Sequence, residues 1–180
     1  MSRIELVNPS KAQGAAAALL QQIDGAFGVV PNMFRAVANS PAALESMWAS
    51  FGALGHGTLG ARLGEQIAVA IADRNDCAYC LAAHTVLGQK AGASAQEMAA
   101  AQAGESDDPK TAAALKFAIA VVERRAHVGE ADVAALRQAG FDDGEIVEIM
   151  AHVALNLFTN YVNVAFKVPV DFPGVKLRAK

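Results

Sequence analysis

Apolar residues recur along this chain at spacings of three and four, and turn-forming residues cut the pattern into helical lengths. Ser10 to about Gly25 reads as a first helix with Ser10 as N-cap, and "GVVPNMF" as a connector whose Pro31 suits a first helical turn. Pro41 opens "PAALESMWASFGALGH", which the glycine-rich "GHGTLG" ends. Residues 61–74, "ARLGEQIAVAIADR", form a strongly apolar helix that must be mostly buried. Asn75 or Asp76 then caps a helix reaching about Ala91, where Gly92 stops it. Ser94 caps a short helix, and "GESDDPK" is a polar loop. "TAAALKFAIAVVERR", "EADVAALRQAG" and a long apolar stretch from about Asp143 to Phe166 give three more helices. The two prolines of "VPVDFPGVKLRAK" prevent the last helix from continuing. Valine and isoleucine seldom alternate with polar residues, so no strand pattern competes and the expected class is all-α.

Length and composition sharpen this picture. The 180 residues suffice for one domain with a sizeable core, and are expected to form one, with a helical N-terminal extension over about 1–40 and an irregular tail over about 168–180. Hydrophobic residues make up 53% and charged residues only 18%. Helices facing water on their outer sides normally carry more charge, so part of the surface is expected to be covered by copies of the same chain. A net charge of −3 with scattered lysines and arginines gives no field for nucleic acid. Residues 1–14 lack a signal-like apolar segment, and no apolar run approaches the roughly 20 residues of a membrane span. The expected setting is the cytoplasm, without nucleic-acid or membrane partners. There thiols are kept reduced, and a close cysteine pair is more often catalytic or metal-binding than structural.

That pair lies in "DCAYCLAAH", Asp76 to His84, with both cysteines of the chain and one of its four histidines. At roughly 100° per residue, Cys80 lies about 300° and His84 about 340° round from Cys77, so the three share a helix face; Tyr79, at about 200°, points away. The spacing puts the cysteine α-carbons about 5 Å apart, within reach of a disulfide. As a staple it would add only about 2 kcal/mol, so reactivity is the better reason for the pair. A thiol with pKa near 8.5 is about 3% thiolate at pH 7; a helix N-terminus and a neighbouring imidazole both raise that fraction. His84 stands one turn beyond Cys80, close enough to take its proton. Glu65, mid-way along the preceding apolar helix, needs a partner there and is the candidate to hold the imidazole.

Two other readings stay open on the residues alone. The cysteines can be an incidental pair in a helix, or Cys77, Cys80, His84 and Glu65 can form a zinc site. Structural zinc, however, usually takes two separated ligand pairs, and Glu is uncommon among them.

The segment "EQIAVAIADRNDCAYCLAAH" followed by "LGQKAG" resembles the carboxymuconolactone decarboxylase-like superfamily, and within it the alkylhydroperoxidase D-like, or peroxidase-related, branch. Looser similarity runs through "VVPNMFRAVANSPAAL", "LRQAGFDDGEIVEIMAHVALNLFTNYVN" and the "DFP" of the tail. The resemblance implies an all-helical fold, assembly as trimers or hexamers, and a cysteine-based peroxidase or disulfide-reductase activity. By position, Cys80 resembles the peroxidatic cysteine, Cys77 the resolving one, His84 the proton acceptor and Glu65 the residue that orients it. Decarboxylase members lack the cysteine pair, which argues against lactone decarboxylation here. The best-known peroxidases of the branch carry a histidine between the two cysteines, where this chain has Ala78 and Tyr79.

The function expected is thus a thiol-dependent peroxidase acting on a hydroperoxide with a thiol or dithiol reductant, needing no cofactor or metal. The rivals are a general disulfide reductase with little peroxidase activity and a non-enzymatic oligomeric binding module with a redox-sensing disulfide. Elsewhere, His152 reads as a core histidine within reach of a pocket, and His56 and His127 as helix-end or turn residues. Trp48 with Phe51, and Phe158 with Tyr161 and Val162, read as core or subunit interface. Asn160 and Asn163, on one face of the last helix, read as amides that satisfy buried backbone or cross an interface, with a catalytic role as the minor alternative.

Overall fold

The computed structural model describes residues 1–178, and among them every regular element is helical, as the periodicity predicts. Residues 179 and 180 of the expected irregular tail lie outside the described residues. A 3-10 turn at Pro9–Lys11 leads into α1 (Gly14–Phe27), α2 (Asn32–Val37), α3 (Pro41–Gly55), α4 (Gly60–Arg74) and α5 (Ala78–Lys90). There follow α6 (Ala95–Ala103), α7 (Pro109–Glu123), α8 (Glu130–Gln138) and α9 (Asp143–Phe166).

The apolar run in α4 has its explanation in the packing. Residues 66–73 are all buried, because α5, α6, α7 and α9 surround this helix. A helix covered on all sides needs no polar stripe. Capping sets the starts of its neighbours: Ser40, Ser94, Asp108 and Asp142 accept from the N–H groups of Ala43, Glu97, Thr111 and Glu145. Ser94 with Glu97 and Asp142 with Glu145 make reciprocal capping boxes.

Two predicted starts are displaced. Asn8, not Ser10, is the capping side chain of the 3-10 turn, and the first helix begins only at Gly14. Asn75 closes α4 rather than opening α5; Asp76 takes φ +54°, a left-handed conformation that Asp tolerates better than most residues, and Cys77 becomes the N-cap.

Nothing caps the start of α4 from its own sequence. Glu148 of α9 does so instead: its carboxylate accepts from Thr58 N–H at 2.9 Å, Thr58 Oγ1 at 2.8 Å and Leu59 N–H at 3.0 Å. Burial alone would raise this carboxyl's pKa, but the hydrogen bonds outweigh it and hold the group below its ordinary value. A folded pKa below the unfolded one contributes stability above the unfolded carboxylate range, and loses it as pH falls through the folded value. Glu148→Gln is therefore expected to cost about 1 kcal/mol at pH 7 and progressively less below about pH 4. Urea unfolding at both pH values checks this; a pH-independent cost would contradict it.

The expectation that no apolar run approaches a membrane span needs correction. At 24 residues α9 is long enough, and an 18-residue window within it is apolar enough by composition, with mean hydropathy 1.2. Its place is that of a bundle helix: Ile149 and Val153 enter the core, and Asn156, Thr159, Asn160 and Asn163 are buried beside them. Its other face leaves Val147, Phe158, Tyr161 and Val164 exposed. Phe158 and Tyr161 are thus surface residues of the protomer, not core, whereas Val162 is buried.

Beyond α9 the chain turns at Lys167, φ +50°, and runs back across the bundle without regular structure. Asp171 Oδ2 accepts from Asn32 N–H at 2.6 Å, at the start of α2, and the Pro169 carbonyl accepts from Asn32 Nδ2 at 3.2 Å. Further on, Arg178 N–H donates to the buried Asp73 carboxylate at 3.0 Å, and Gln102 Nε2 donates to the Lys176 carbonyl at 3.0 Å. The tail is therefore tied to α2, α4 and α6.

Candidate active site

The break between α4 and α5 places the cysteines. Arg74 ends α4, Asp76 reverses the chain, and Cys77 caps α5 with its Sγ accepting from Cys80 N–H at 3.2 Å. Cys80 thus sits in the first turn of α5, where unpaired backbone N–H groups and the helix dipole favour a thiolate. The two cysteines are joined as a disulfide, with α-carbons 5.3 Å apart, and both are buried.

Across from them, Glu65 of α4 reaches His84 of α5: Nδ1 lies 2.6 Å from Glu65 Oε2. With the carboxylate ionised, Nδ1–H is the donor and Nε2 remains the nitrogen available to accept a proton. All four predicted residues, Cys77, Cys80, His84 and Glu65, therefore lie at one locality. The glutamate that looked misplaced in an apolar helix is half-buried and paired. Among the described residues no group of three or more His, Cys, Asp and Glu side chains could hold a metal ion.

A cavity of about 310 Å³ opens on this locality, near the lower end of the size range of small-molecule sites. Glu65, Cys80, His84 and Asn163 stand at its polar end. Six aromatic side chains contribute to the rest of its wall: Phe27, Phe34, Trp48, Phe51, Tyr79 and Phe172. Phe34 and Trp48 meet edge to face at 5.8 Å, and Phe172 of the tail meets Tyr79 in the same way at 5.7 Å. A larger cleft, about 1020 Å³, lies at the start of α4 against α6 and the 105–108 loop, and contains neither cysteine nor histidine.

Three expectations change here. Trp48 and Phe51, read as core or interface, pack against the core with one side and also line the cavity. Tyr79, expected to point away, lines it too. The 100° reckoning began at Cys77, which proves to lie outside the helix, so the angle did not apply. The Tyr79 hydroxyl accepts from Met33 N–H at 3.2 Å; burial, with the nearby Asp171 carboxylate, pushes its pKa far up and keeps the phenol neutral. Asn163, read as structural, donates from Nδ2 to Cys80 Sγ at 3.3 Å.

His152 does not line the cavity. Its ring packs on α4 where residue 64 has no side chain; a Cβ there would stand 2.9 Å from Cε1. Burial holds this imidazole below its ordinary pKa, against the opposing pull of Glu148 and Glu65. His56 closes α3, and His127 lies in the exposed turn before α8.

Residues 41–118 match the carboxymuconolactone decarboxylase family. No protein with a curated description matches the chain. Among solved structures, a peroxidase-related protein from Ralstonia eutropha JMP134 with an alkylhydroperoxidase AhpD core is 26% identical, with TM-score 0.84, covering 94% of this chain and 92% of that one. A peroxidase-related protein from Silicibacter sp. TM1040 is 25% identical, with TM-score 0.81, covering 93% and 91%. The debrominase Bmp8, as a C82A variant with 2,3,4-tribromopyrrole, shares the fold at 21% identity, with TM-score 0.78 over 95% and 94% of the two chains.

Proposed function

We propose that this alkylhydroperoxidase D-like chain of the carboxymuconolactone decarboxylase-like superfamily is a thiol-dependent peroxidase that reduces organic hydroperoxides through Cys80 and Cys77. The observation that carries the reading is the 2.6 Å contact of His84 with Glu65 beside a cysteine pair at a helix N-terminus, with Glu65, His84 and Cys80 lining one cavity. A structural disulfide needs no carboxylate-held imidazole next to it; a nucleophile does.

In the cycle, His84 takes the Cys80 proton on Nε2 while Glu65 stabilises the imidazolium. The thiolate attacks the distal oxygen of the hydroperoxide, the S–O bond forms and the O–O bond breaks. Two electrons pass from sulfur, and the departing alkoxide takes the proton from His84. Cys77 then displaces water from the Cys80 sulfenic acid, giving the disulfide present in this structure. An external thiol or dithiol restores both thiols. The aromatic wall supports a substrate with an apolar body, since polar substrates would lose hydration there without replacement. The uncharged outer face of α9, bearing Val147, Phe158 and Tyr161, supports a homo-oligomer, and the reduced state of the cycle suits the cytoplasm.

The test uses fully reduced protein and one equivalent of cumene hydroperoxide, followed by mass spectrometry. The expected products are one cumyl alcohol and a Cys77–Cys80 disulfide per chain, and in Cys77→Ser a sulfenic acid trapped at Cys80. Thiols that survive while hydroperoxide persists would sink the proposal.

A further inference from the structure

Among the described residues only two buried side-chain polar atoms lack a hydrogen-bond partner, Asn160 Nδ2 and Asn163 Oδ1. Their neighbours on α9 are satisfied: Asn156 Nδ2 donates to the His152 carbonyl at 2.9 Å, and Thr159 Oγ1 to the Asn156 carbonyl at 3.2 Å. Asn160 Oδ1 accepts from Asn75 Nδ2 at 3.1 Å. Asn163 is 4% exposed and lines the cavity, and among the described residues its side chain's one hydrogen bond goes to the Cys80 sulfur. A neutral disulfide sulfur is a weak acceptor, and a dry carbonyl is costly, so this amide is poorly served in the oxidised state.

Both ends are served at another point of the cycle. We propose that Asn163 is a further catalytic residue, whose Nδ2–H stabilises the Cys80 thiolate and whose Oδ1 accepts the O–H of the hydroperoxide as its distal oxygen passes to sulfur. This rests on Cys80 being the nucleophile toward hydroperoxides. The hydrogen on the distal oxygen stays there throughout: it belongs to R–O–O–H before transfer and to S–O–H after it. The acceptor therefore meets the same O–H in substrate, transition state and sulfenic acid. The proton that leaves with the alkoxide is the one His84 took from the thiol, so the two hydrogens have separate partners. An amide bridging sulfur and substrate favours electrophiles that carry a hydrogen on the attacked atom over those that do not.

The structural rival is that Oδ1 is paired through a water with Asn160 Nδ2, three residues back, leaving Asn163 to hold α9 in place. The two roles separate by electrophile. In the Cys77→Ser background, the single-turnover rate constants with cumene hydroperoxide and with methyl methanethiosulfonate, which offers no O–H or N–H, are compared with and without Asn163→Ala. They are read on the high-pH plateau, where Cys80 is fully ionised in both. The hydroperoxide rate is expected to fall ten- to a hundredfold, and the thiosulfonate rate by less than about threefold. The pH midpoint of the thiosulfonate reaction is expected to rise in Asn163→Ala, as the thiolate loses its donor. Equal losses with both electrophiles, or an unmoved midpoint, overturn the proposal. If Asn163→Ala does not fold, Asn163→Ser gives the same comparison of electrophiles. A parent that reacts with the thiosulfonate but not with the hydroperoxide overturns the peroxidase reading and this role together; equal sensitivity in a parent that reacts with both overturns this role alone.

Discussion

Cys80→Ser is expected to lower hydroperoxide turnover by more than about 10³-fold, to the level of the dithiol reductant alone. A serine hydroxyl stays protonated where a thiolate is needed, and neither the α5 N-terminus nor His84 can offset that difference. The substitution removes little else, since serine is smaller than cysteine by a fraction of a side chain and α5 retains Cys77 as its cap. Cys77→Ser should behave differently. Its hydroxyl is at least as good an N-cap acceptor as the sulfur it replaces, so α5 is preserved. It should complete one turnover at close to the unmodified rate and then stall, because nothing resolves the Cys80 sulfenic acid. Rapid-mixing kinetics with limiting reductant distinguishes the two. Turnover in Cys80→Ser within tenfold of the unmodified protein would remove Cys80 from the mechanism, whatever the behaviour of Cys77→Ser.

The second large effect concerns Glu65 and His84. His84→Gln should slow single-turnover oxidation by about 10²- to 10³-fold at pH 7, the usual scale of a lost general base and acid. Glu65→Gln should cost somewhat less, since the imidazole survives without its carboxylate. Because Glu65 acts through His84, the double variant is expected to be no slower than His84→Gln alone, a coupling far from additive. The pH profile gives the independent readout. At high pH Cys80 ionises without assistance, so the variants should approach the unmodified rate; a deficit constant across pH would instead mean that the pair only supports the fold. Thermal melts accompany the kinetics, because His84→Gln leaves a half-buried carboxylate without its 2.6 Å partner.

How much of this was legible in the residues varies from element to element. The helix starts at Pro41, Ser94 and Asp143 follow from local chemistry, since a cap and its third residue are read within four positions. Glu65 could be singled out because a glutamate in a run of apolar residues needs a partner, and His84 was the available one. The likeness carried by the CxxC segment pointed the same way. The cavity wall was not legible in this manner. Periodicity says which face of α3 is apolar, but not whether that face meets a neighbour or a void, so Trp48 and Phe51 looked like core. Phe172 lies in a tail without any period, and is held at the cavity by contacts far away in sequence, Asp171 and Pro169 with Asn32 and its own ring with Tyr79. Asn163 resembled its neighbours Asn156 and Asn160; only its distance to Cys80 Sγ sets it apart. The cap of α5 shifted to Cys77 because Asp76 adopts a left-handed conformation that residue preferences alone do not select.

The return of the tail also bears on how the protein is made. Cys77 and Cys80 leave the ribosome about ninety residues before Phe172, which closes the wall beside Tyr79. At roughly 5 to 20 residues per second that interval is on the order of 5 to 20 s. During it the nascent chain carries its thiols before the wall of the cavity that Cys80 lines is complete. The aromatic wall beside Tyr79 is therefore finished by the last part of the chain to be made, long after the helix that carries the cysteines.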